Sequence, residues 1–190
     1  MESEASRQEV LKRYSLVAED FAHRLANVTP AQLHLPTPCH EWDVSRLITH
    51  VIETNFRVGA QVDSSNQHRS ADDFVSQWET AKSLITDLLA NEATANQMTS
   101  GMFGEQSFAS LVGRLLCADT LFHTWDLAKA TSQDTNLNQD AVEKAFAFLE
   151  PLDEAIRRPG GFAPKITSAP DADLQTRFLN FGGRQVQLID

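Results

Sequence analysis

The chain has 190 residues, 42% of them hydrophobic, with 16 Lys plus Arg against 26 Asp plus Glu and a formal net charge of −10. A chain of this length buries about 70% of the surface its unfolded form exposes, so one core forms without disulfides or a partner chain. The densest basic cluster is the pair Arg157 and Arg158, which argues against nucleic acid as a partner, because phosphate binding needs a concentrated basic face. The longest apolar runs span a few residues, far below the roughly 20 that cross a bilayer, and no membrane partner is expected. The start MESEASRQEV is polar and acidic rather than basic then apolar, which predicts a cytoplasmic protein. Cys39 and Cys117 show no spacing of a disulfide framework or a thiolate metal site.

Val10, Tyr14, Val17, Phe21 and Leu25 recur at intervals of three and four, the stripe of a helix over about residues 5–27. The three prolines of TPAQLHLPTPCHEW then interrupt regular structure, and Asp43 offers an N-cap. Leu47, Ile48, Val51, Asn55, Val58 and Val62 mark a second helix, from Val44 to about Val62. Ser70 and Asp73 resemble a capping box before a third helix carrying Phe74, Trp78, Ala81, Ile85 and Leu88. Residues 92–106 read as a short extended excursion. A fourth helix is expected from Ser107 to Thr131, and a fifth from about Gln139 to Arg157 with a kink or restart at Pro151. The Pro/Gly-rich tail holds a short amphipathic piece around Leu174, Phe178 and Leu179. The fold class is therefore all-α: an antiparallel four-helix bundle over 1–158, with an extra C-terminal helix and a short extended tail over 159–190 packed on it.

The fourth helix carries an anomaly. A helical wheel places Asp119, His123 and Asp126 inside the apolar stripe set by Leu111, Val112, Leu115, Leu116 and Phe122, and puts Gly113, Cys117, Thr120 and Thr124 on the outer face. Buried carboxylates cost several kcal/mol unless they are paired, hydrogen-bonded or bound to a metal. Asp119 and His123, four residues apart, reach one point, and His50 in the otherwise apolar second helix is the best candidate for a third group. Spacing alone leaves three readings open: a metal site, a satisfied buried network, and an acid–base pair without metal.

TPCHEWDVSRLITHVI resembles the TPC-x-x-W phrase and ligand-bearing helix of the mycothiol-dependent maleylpyruvate isomerase-like proteins of the DinB-like superfamily. DTLFHTWDLAKAT is similar to the family's D-x-x-x-H-x-W-D-L-A-x-A-T, and the stretch from Phe162 to Arg184 to the closing segment of its short single-domain actinobacterial members. The resemblance implies a four-helix bundle whose metal ligands are His50, Asp119 and His123, with Asp119 standing where the characterised isomerase has Glu. It also implies a divalent metal, zinc first, with Ni2+ or another transition metal as alternatives. Asp126, one turn beyond His123, is expected to accept a hydrogen bond from a ligand imidazole. Trp42 and Trp125 are expected to pack or line the bundle, and Cys39 to be structural rather than nucleophilic.

Three protein ligands leave a coordination position open, the pattern of catalytic rather than structural zinc. The expected activity is a metal-dependent S-transferase or thiol-assisted isomerase using a low-molecular-weight thiol such as mycothiol, with a small-molecule substrate. The isomerase's separate C-terminal substrate domain is absent from a tail this short. The alternative is a non-catalytic metal-dependent binding or structural bundle protein. Oligomeric state is left open by the sequence, a homodimer included.

Overall fold

A computed structural model describes residues 4–65, 73–101, 104–157 and 161–186. Ser70 of the expected capping box, Met102 and Phe103 of the extended excursion, and the expected boundary at 158/159 lie outside the described residues.

Helix α1 spans Glu4–Ala26, α2 Val44–Gly59 and α3 Phe74–Ala90. A single turn, α4 (Glu92–Ala95), leads into an antiparallel hairpin of β1 (Met98–Gly101) and β2 (Gly104–Ser107). The expected fourth helix runs as α5 (Phe108–Leu111), a π-helical segment over Val112–Leu116, and α6 (Cys117–Ala130). Helix α7 (Gln139–Leu149) gives way at Pro151 to a 3-10 turn over Glu150–Leu152 and then to the single turn α8 (Asp153–Ile156). After an irregular stretch, α9 (Leu174–Phe181) closes the described fold. Helix α2 ends three residues earlier than its pattern suggested, because Ala60 caps it and Gln61 and Val62 turn away on Val58 and Gly59 carbonyls.

Helices α1 and α2 sit at opposite corners of the bundle, each packed against both α3 and α6. Tyr14 of α1 reaches across the core to donate to Asn55 Oδ1 on α2 at 2.7 Å, and Asn55 donates to the Val51 carbonyl, so both buried polar groups are satisfied. Trp78 of α3 fills the centre, edge-on to Phe21, and its indole N–H meets the Ala18 carbonyl at 3.2 Å. Asp43 and Asp73 cap α2 and α3 through the N–H groups of Arg46 and Ser76.

The wheel misjudged the back of the fourth helix. Gly113, Cys117, Thr120 and Thr124 are all buried, whereas Leu115 is only half-buried. Two features cause this. The π-helical segment inserts an extra residue in one turn, which shifts the phase of everything beyond Leu116 relative to Leu111 and Val112. In addition, α6 is sandwiched: Cys117 and Leu127 belong to the bundle core, while Ala118, Leu121, Phe122 and Trp125 join a second core with α7 and α9. There Phe178 stacks on Phe122 at 4.0 Å. Among the described residues, no helix is long and apolar enough to cross a membrane.

Candidate metal centre

The turn before α2 is tied by one hydroxyl. Thr37 Oγ1 donates to the Trp42 carbonyl at 2.9 Å and accepts from the Cys39 N–H at 3.2 Å, while the Thr37 N–H also donates to the Trp42 carbonyl. Glu41 takes a left-handed φ of 70°, which closes the turn. The T-P-C-x-x-W spacing thus presents Cys39 and Trp42 on the same side. The Trp42 ring lies 4.6 Å from the His50 ring and 5.6 Å, roughly stacked, from that of His123.

His50 from α2 and Asp119 and His123 from α6 converge, with their ligand atoms all within 4.8 Å of one another. His50 Nε2 is 3.3 Å and His123 Nε2 3.7 Å from the same oxygen, Asp119 Oδ1. Asp119 Oδ2 is buried with no hydrogen-bond partner. His123 is almost fully buried, but the His50 and Asp119 side chains keep 23% and 18% of their surface, so the cluster opens to solvent on the α2 side. Burial pushes the Asp119 carboxyl up; the charges of His123, His50 and Arg57 and the His50 hydrogen bond outweigh it and hold the group below its ordinary value.

Asp126 lies directly behind His123. Its carboxylate is fully buried and accepts from His123 Nδ1 at 3.1 Å. Arg184 grips it from the other side, with Nε to Oδ1 at 3.2 Å and Nη2 to Oδ2 at 2.8 Å. Burial pushes Asp126 up, but the Arg184 guanidinium and the His123 contact prevail and hold it below its ordinary value. In its neutral Nδ1–H form, His123 turns a bare Nε2 lone pair toward Asp119 Oδ1, an acceptor facing an acceptor.

Cys39, His123 and Asp126 also lie within 4.8 Å of one another. Burial pushes the Cys39 thiol up to about 11 against the opposing pull of Arg184. A protonated thiol beside a carboxylate already paired with guanidinium is poorly prepared to bind a cation. Cys39 and Cys117 are both free, and Cys117, expected on the outer face, is fully buried. Trp125 packs in the second core.

Arg184 is the member that reading the sequence did not identify. It is 58 residues from Asp126, and helical periodicity carries no information about such a pairing. The one available signal was a basic residue following the glycine pair Gly182 and Gly183 in the tail.

No solved structure matches the chain. Two uncharacterized proteins of Mycobacterium tuberculosis, from strains CDC 1551 and H37Rv, are each 33% identical to it over 183 residues, covering 93% of this chain and 98% of the relative. Residues 14–128, which include the His50, Asp119 and His123 cluster, match the model of the mycothiol maleylpyruvate isomerase N-terminal domain. The chain therefore belongs to the mycothiol maleylpyruvate isomerase N-terminal domain family, in the DinB-like superfamily of helical bundles.

Proposed function

We propose that the protein is a metal-dependent S-transferase or thiol-assisted isomerase, with His50, Asp119 and His123 holding the metal and a mycothiol-type thiol as co-substrate. The observation that carries the metal is the convergence of acceptors. His123 Nε2, Asp119 Oδ1 and the partnerless Asp119 Oδ2 meet in one place, with His50 Nε2 3.3 Å from Asp119 Oδ1. A cation satisfies all of them. Two imidazoles and a carboxylate suit zinc best and accommodate Ni2+ or another divalent transition metal.

When bound, the metal supplies Lewis acidity and lowers the pKa of a thiol that takes its open position. The remaining work falls to the chain. Trp42 walls one side of the two imidazoles, fixing their planes and keeping water from that flank. Asp126 holds the His123 proton at Nδ1, which keeps Nε2 free as a ligand atom. The exposed edges of His50 and Asp119 leave a route for a small electrophile from the α2 side. The thiol finds support in the family, whose name specifies mycothiol.

The test is a conjugation assay with metal-loaded protein, mycothiol and a bromobimane electrophile. Conjugate formed above the spontaneous rate and abolished by a chelator supports the proposal. Metal bound without any acceleration would overturn the catalytic assignment and leave a metal-dependent binding or structural bundle protein.

A further inference from the structure

The tail sequence Phe181-Gly182-Gly183-Arg184 is built to deliver one side chain. A Cβ on Gly182 would lie 2.3 Å from Phe122 Cε1, so only glycine lets the tail backbone press onto the residue preceding His123. Gly183 has a φ of +80° and sits against the Pro164 carbonyl, where a side chain would be strained and crowded. The chain then turns back, with the Arg184 N–H donating to the Leu179 carbonyl at 2.9 Å. Arg184 emerges over the Phe122 ring at 4.9 Å, donates Nη1 to the Gly182 carbonyl at 2.7 Å, and spends its other edge on both oxygens of Asp126. A two-pronged guanidinium–carboxylate contact fixes orientation as well as distance.

We propose that Arg184 is a positioning residue of the site, locking the Asp126 carboxylate in the orientation that pins the His123 proton on Nδ1 and leaves Nε2 free. The C-terminal tail then completes the site rather than merely covering the bundle. Two of the four hydrogen bonds that hold this relay come from Arg184 to Asp126, one runs from Arg184 to its own tail, and one from His123 to Asp126. Without the guanidinium, the Asp126 carboxylate is free to rotate, and the preference of His123 for the Nδ1–H tautomer disappears. The metal consequence rests on the reading given under Proposed function; the tautomer does not.

The experiment compares full-length wild-type protein with Arg184→Met, Arg184→Lys and Gly182→Ala. Imidazole 15N shifts of the metal-free proteins report the His123 tautomer. Competition with a chromogenic chelator reports Zn2+ affinity. Wild type should show His123 protonated at Nδ1. Arg184→Met and Gly182→Ala should show mixed tautomers and a 10-fold to 100-fold weaker hold on Zn2+, the usual cost of losing a group that orients a ligand. Arg184→Lys, which keeps the charge, should rescue the tautomer in part. Folded Arg184→Met and Gly182→Ala proteins with a wild-type tautomer would overturn the proposal, even if their melting temperatures fall, because that pattern is a structural role alone. If Arg184→Met does not fold, Gly182→Ala, which keeps every charge, carries the same criterion. Failure of wild type to bind Zn2+ would sink the metal reading and leave the tautomer comparison in force.

Discussion

His123 faces different demands at its two nitrogens, and most of the site's chemistry follows from them. Nδ1 is committed to Asp126 at 3.1 Å and Nε2 is aimed at Asp119 Oδ1 at 3.7 Å. Asp126→Asn keeps the shape and one acceptor but removes the charge that makes the imidazole a stronger donor of its lone pair. Zn2+ affinity measured by chelator competition should fall about 10-fold to 100-fold in that variant. Affinity equal to that of wild type would show that the carboxylate charge is irrelevant. Cys39 gives a second prediction at this scale. With its thiol pushed up to about 11 by burial, from an ordinary 9.0, it carries about 100-fold less thiolate at neutral pH than an unperturbed cysteine. Iodoacetamide labelling followed by mass spectrometry should modify it at least that much more slowly than a free thiol; rapid labelling at neutral pH would mark it as an activated nucleophile instead.

Among the elements, the short helix α9 has an outsized role because it ends one turn before Arg184. Its N-cap, Asp173, accepts from the Thr176 N–H at 2.9 Å and the Thr176 hydroxyl at 2.8 Å. Asp173→Ala should cost about 1 kcal/mol in denaturant unfolding. The same two bonds hold the Asp173 carboxyl below its ordinary 3.8. A carboxyl depressed in the folded state stabilises above its unfolded value, and that share is lost as pH falls through the folded value. The gap between wild type and Asp173→Ala should therefore close in acid, and an undiminished gap at low pH would assign the loss to the helix backbone rather than to the carboxylate. The elements also show what periodicity reveals and where it fails. Val10, Tyr14, Phe21 and Leu25 face one core, so their spacing outlines α1 directly. Pro151 interrupts the helix after Leu149 because its ring removes a donor, which is equally visible in the sequence. The faces of α6 were not legible, since a helix packed on both sides has no polar stripe, and a π-helical turn resets its phase in a way that a wheel of fixed pitch does not register. Thr124 illustrates the consequence: it reads as a neutral surface position, yet it is buried and donates to the Thr120 carbonyl at 2.7 Å. Exposed Lys129 on the same helix is the better control. His50, Asp119, His123 and Asp126 were legible because an ionisable group in an apolar stripe needs a compensating partner wherever the stripe points. Arg184 was not, because its pairing depends on how the tail returns.

For the molecule as a whole, a metal bound by α2 and α6 ties two corners of the bundle together and binds the folded state only, so it should raise the melting temperature in proportion to the logarithm of free metal. Both imidazoles must be neutral to serve as ligands, so metal retained after desalting should be lower at about pH 5 than at about pH 8. Equal retention at the two values would count against histidine ligation. The central claim is that His50, Asp119 and His123 hold one divalent metal, and elemental analysis of purified full-length protein tests it most directly. Wild type and Lys129→Ala should carry close to one equivalent of metal, while His50→Ala, Asp119→Ala and His123→Ala each lose most of it. Stoichiometric metal in all three of those variants, or none in wild type after loading with Zn2+, would contradict the account.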